Sequence, residues 1–360
     1  MGQTAEIVSL AVAGENQLWD FLDRQSADVT SALAHRAALR AVAEAVRFDQ
    51  LNEDTARYAL AAARAALISG VLIEFPEDEG LRAAAAEAAE GTLLVRRFHQ
   101  KLCEAEAPAA EAMVRVISAL EAVAATDRDT AAEMAGHAML DDPTCYADCA
   151  LSVDEMLVAP VELSEDETDL INQFAQNDTW AFWRAWHVAA LKGTPLPWSV
   201  QAEIARLPQD AWDAGPAVVA ARIGRVFARM ELQTRIEALE KRMMSKTGPN
   251  GGAKEDDVGR APANFAAIRL IREPIDDLLT QARSPKPQAF LIQKATLRLT
   301  MILAASGKWL GRSAEGDIKE MVRVIGKSGG VATANWIDGQ GHRIRAVIEA
   351  AEDWRHRIPA

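Results

Sequence analysis

Apolar residues along most of this chain recur every three or four positions, the period of an amphipathic helix rather than the alternation of a half-buried strand. Between Ile7 and about Ala159, positions such as Leu33, Ala37, Val42 and Val46 keep that period, with polar breaks between segments. Asn52 is expected to open one helix and Pro76 to follow its end, while Gly91, Pro108 and Asp141-Asp142-Pro143 mark later turns. Ser164-Glu165-Asp166-Glu167 reads as a capping box, in which the serine takes a backbone N–H and Glu167 reaches back to the cap. The helix it starts carries Phe174, Trp180, Phe182, Trp183 and Trp186, and Gly193, Pro195 and Pro197 end it. Trp198 and Trp212 bracket a further short helix, and Pro216 suits the first turn of a long one.

In that long helix Val219, Ile223, Val226 and Met230 are spaced four, three, four. Leu232, Ile236, Leu239 and Met243 repeat the spacing after a shift of phase, the pattern of a short interrupted coiled coil. Periodicity then stops at 247–262, where Gly248, Pro249, Asn250, Gly251 and Gly252 precede a charged run, as in a flexible linker. Beyond it, Phe265, Ile268, Ile271, Ile275, Leu278 and Leu279 mark a helix carrying Pro274, Phe290 to Leu303 another, and His342 to Ile358 a closing one. Glycines from Gly307 to Gly341 weaken the helical expectation between the last two.

Alanine, glutamate and arginine dominate, and strand-length runs of β-branched or aromatic residues are nearly absent. The expected fold is all-α: multi-helix bundle-like domains, a long, partly coiled-coil helix and a basic helical C-terminal domain. The expected parts are an acidic domain (1–160), a tryptophan-rich module with the long helix (161–246), the linker (247–262) and the basic domain (263–360). Charge sharpens this division. Residues 1–160 hold 12 basic and 27 acidic side chains, whereas 285–360 hold 12 basic and 7 acidic. Affinity for anions therefore belongs at the C-terminal end, unless its basic surface meets the chain's own acidic half.

Five of the nine tryptophans fall between Trp180 and Trp212. Trp183 lies one turn from Trp180 and from Trp186, so the three share a broad helical face. Such indoles either fill a core or, with N–H groups free for a partner, form a binding surface. Trp180-x-x-Trp183, then Gly193-x-Pro195-x-x-Trp198, then Ile204, Trp212, Gly215 and Ile223 resemble a segment of uncharacterised helical proteins of alphaproteobacteria. The resemblance covers about residues 178–223 and implies a small helical module and a bacterial source, with no activity.

Catalytic and metal-binding patterns fail at identifiable positions. Gly326-Lys327-Ser328 ends like a phosphate-binding loop, but Met321 stands where its first glycine belongs, and the preceding residues read as helix instead of strand. Cys145 and Cys149 are four apart with His137 upstream, yet no second ligand pair accompanies them, so buried structural thiols are expected. The six histidines are scattered, and neither a Gly-x-Ser-x-Gly elbow nor a Gly-x-Gly-x-x-Gly loop occurs. No catalytic residue, cofactor or metal is expected.

Three cysteines, an odd number, suit a reducing compartment; with no leader-like start, the expected location is the cytoplasm. No run reaches about 18 uninterrupted apolar residues, so no membrane span is expected. The sequence points to a non-enzymatic interaction or regulatory protein assembling with itself or a protein partner through Trp180, Trp183, Trp186, Trp198, Trp212, Ile236 and Leu239. The alternative is an effector or sensor whose basic domain meets an anionic membrane surface or another polyanion through Lys294, Arg298, Lys308, Arg312 and Lys327. Nucleic acid is not an expected partner.

Overall fold

Alanine-rich runs opened by acidic residues fold as helices, and no strand occurs among the described residues. The computed structural model describes residues 15–45, 53–125, 128–139, 148–149, 151–161, 178–245, 263–309 and 330–358. They group into two compact units, 1–223 and 224–360. The first contains α1 (Glu15–Leu22), α2 (Ala27–Ala45), α3 (Glu53–Glu74), α4 (Glu79–Ala124), α5 (Arg128–Met139) and α6 (Val153–Val158). A 3-10 turn at Asp178–Trp180, α7 (Ala181–Leu191), α8 (Trp198–Ala205) and α9 (Gln209–Asp213) follow. The long helix α10 (Pro216–Ser245) begins in the first unit and continues into the second. The second unit adds α11 (Ala263–Arg283), α12 (Ala289–Trp309), α13 (Val331–Gly339) and α14 (Gly341–Arg357).

Helix α2 is the centre of the first unit and packs against α3, α4, α5, α6 and α7. Ala32, Ala34, Ala37, Ala38, Ala41 and Ala45 are buried around its circumference, and small side chains let several helices approach one axis. Close approach is strictest at Gly70 of α3, where an added Cβ would lie 2.7 Å from the His35 ring. Gly193, at φ +69°, ends α7 in the left-handed region and lies against the Val158 carbonyl, so both conformation and space require glycine there.

The turns expected at Gly91 and Pro108 do not form: α4 runs through both as one 46-residue helix. Glycine weakens a helix interior by about 1 kcal/mol and proline by about 3 kcal/mol relative to alanine. Apolar seams at both ends, Leu81, Ala84 and Ala85 and then Met113, Val116, Ile117 and Leu120, are buried and offset that cost. Asp78 caps α4 by accepting the Leu81 N–H at 2.9 Å. Ser164 lies outside the described residues. A capping box occurs instead at α6, where Ser152 accepts the Glu155 N–H and Glu155 accepts the Ser152 N–H at 2.8 Å.

In the second unit, Leu232, Ile236, Leu239 and Met243 of α10 join Ile271, Ile275 and Leu278 of α11, Ile292, Leu299 and Ile302 of α12, and Ile344, Val347 and Trp354 of α14 in one core. The phase shift after Met230 thus precedes the part of α10 whose apolar seam belongs to this unit. The linker expected at 247–262 lies outside the described residues. Two helical windows, Ala56–Glu74 and Ala289–Gly307, are long and apolar enough to cross a membrane, which an uninterrupted-run criterion overlooked because single polar residues punctuate both. The first is 78% buried and forms part of the first unit's core; the second, in α12, is 39% buried and packs one face into the second unit's core.

Candidate functional site

The tryptophans gather as a buried cluster within the first unit. Trp180, Trp183, Trp186 and Trp212 are buried and Trp198 is half-buried. Trp183 meets Trp186 edge-on at 5.8 Å between ring centroids, Trp212 at 6.2 Å and Phe182 at 5.1 Å. Two of the indole N–H groups have internal acceptors: Trp186 Nε1 donates to Gln201 Oε1 at 2.8 Å, and Trp212 Nε1 to the Leu207 carbonyl at 2.9 Å. These aromatic faces are used by the chain itself rather than held out as a binding surface. Trp183 and Trp186 come from α7 and Trp180 from the turn before it, and α9 brings Trp212 against Trp183.

Polar groups line the same interior. Arg64 is 4% exposed, lies 4.6 Å from the centre of the Trp212 ring and donates from Nη1 to Gln209 Oε1 at 2.7 Å. Burial lowers its pKa to about 10, against the opposing pull of Glu87 and Asp213. Its Nε and Nη2 have no hydrogen-bond partner among the described residues.

On α2, Arg36 and Arg40 share one carboxylate, Asp148, at 2.8 and 2.7 Å, and all three side chains are buried. Arg36 also donates to the carbonyls of Met156, Ala159 and Pro160, tying the 156–160 segment to the central helix. Ser69 Oγ gives its proton to the Ala66 carbonyl, so His35 Nδ1 carries the hydrogen that reaches Ser69 at 2.8 Å. His187 has the other tautomer: Nε2 donates to the Leu39 carbonyl at 2.6 Å, and Nδ1 is bare. Burial depresses both imidazoles, His35 to about 3 with help from Arg36, and His187 to about 4 against the Leu39 hydrogen bond.

Ser69 is fully buried and gives its proton to the Ala66 carbonyl instead of to His35. Cys149 has its thiol pushed up to about 12, first by burial and then by Asp148, which disfavours the reactive thiolate. Cys145, Arg312, Lys327 and Met321 lie outside the described residues. Among the described residues, no three His, Cys, Asp or Glu side chains are placed to hold a metal ion.

Ile236 and Leu239 are fully buried in the second unit's own core, so they are not an exposed seam. Ile236→Ala is expected to destabilise that unit by roughly 2–5 kcal/mol through the cavity it leaves, without changing the mass in solution. Denaturation paired with light scattering checks both parts.

Of the basic residues, Lys294 is exposed, whereas Arg298 is half-buried and held by Glu273 at 2.6 Å and Asp277 at 3.6 Å. The side chain of Lys308 lies outside the described set. A groove of about 420 Å³ between α10 and α14 is floored by Ala228, Ala346 and Ala350. Within it Glu231 pairs with Arg235 at 2.6 Å, and Asp353 pairs with Arg357 at 3.0 Å, while Glu349 also lines the groove.

Among the described residues, the outside of α12 carries two large exposed apolar side chains. Phe290 is 71% exposed and Leu297 55%, one heptad apart on one face, and half-buried Met301 continues the line. The opposite side of the helix, Ile292, Ala295, Leu299 and Ile302, is buried against α11, α13 and α14. This outer line is not among the surfaces expected from the sequence. The four-three-four spacing of Phe290, Lys294, Leu297 and Met301 was its legible signal. No family model, curated protein or solved structure matches this chain.

Proposed function

We propose that this chain is a non-enzymatic helical interaction protein that assembles with another helix through the outer face of α12. The observation that carries this reading is the exposed stripe of Phe290 and Leu297 on a helix whose inner face is already fully packed. Exposing a phenylalanine and a leucine in register leaves roughly 2 kcal/mol per side chain to be gained on burial. A heptad-type line is the form in which a partner helix collects that gain, as knobs seated between ridges. The coiled-coil element thus shifts from Ile236 and Leu239 to the outer line of α12. The two units supply the frame: their large tryptophan and arginine side chains order helices rather than contact ligands.

A photo-crosslinking residue placed at position 297 in the producing cells should yield one discrete adduct. The same residue at Arg345, an exposed position on α14, should yield none. Equal, diffuse labelling from both positions would sink the reading.

A further inference from the structure

We draw no further inference here: the strongest candidate, the alanine-floored groove between α10 and α14, carries nothing because Arg235 and Arg357 already pair two of the three carboxylates along it and nothing in the structure shows what covers it.

Discussion

Asp148→Ala is expected to destabilise the first unit by roughly 3–5 kcal/mol, the usual effect of removing one partner from a buried ion pair. Its carboxylate is shared by Arg36 and Arg40, and all three side chains are buried. The penalty comes less from lost attraction than from two guanidiniums left in low dielectric without the shared negative charge. Arg36 keeps its three carbonyl acceptors, so the 156–160 segment remains tethered while the core around α2 weakens. Asp148→Asn should fall between wild type and alanine, because the amide still accepts a hydrogen bond but carries no charge. Urea unfolding followed by tryptophan fluorescence, with Trp309, Trp336 and Trp354 of the second unit replaced by phenylalanine, reports the first unit, which holds the other six tryptophans. A loss under about 1 kcal/mol would show that the arginines find other anions or water, and that the cluster is not the anchor of this core.

The second large effect is acid lability of the same unit. His35 and His187 are buried and neutral, with folded-state pKa values near 3 and 4, below the unfolded value of 6.5. The unfolded chain therefore takes up protons first as pH falls. The stability associated with these neutral rings is complete above about pH 6.5 and is lost progressively toward pH 4 and then 3. By pH 4 the loss is on the order of 3 kcal/mol for each ring. For His187 the reason is direct, since the proton would have to enter at Nδ1, which has no acceptor in its surroundings. Asp78 and Glu155 act in the same direction at lower pH. The Leu81 N–H and then Arg206 hold the Asp78 carboxyl below its ordinary range, and the Ser152 N–H and then its hydroxyl do so for Glu155. Denaturation midpoints measured from pH 8 to 4 should fall steeply for wild type and much less for a His35→Gln, His187→Gln double variant. Parallel curves would mean that carboxylates, not these rings, govern the acid response.

Helix period and capping chemistry are local properties, so much of the helix content was readable from the chain. Gly193 and Pro216 mark the end of α7 and the start of α10, and the line of Leu232, Ile236, Leu239 and Met243 is an apolar face of α10. Local signals failed where tertiary burial outweighed them. Gly91 and Pro108 are turn residues by propensity, yet α4 continues through them because apolar seams on either side are packed. Ser152-x-x-Glu155 was as visible a capping signal as the one chosen at Ser164, but it opens a helix only six residues long.

By itself, then, the sequence determined an all-helical chain, with its tryptophans concentrated in one stretch and its basic charge toward the end. Composition and three-to-four-residue spacing suffice for that, because both act through the backbone and nearest neighbours on one helix. Only the tertiary structure decided which faces are spent. A periodic stripe states that a helix has an apolar side, not whether the same chain covers it. Trp180, Trp183, Trp186, Trp212, Ile236 and Leu239 are covered; Arg36, Arg40 and Asp148 meet although more than a hundred residues separate the arginines from the carboxylate. Phe290 and Leu297 remain outside because Ile292, Leu299 and Ile302 already occupy the inner face of α12.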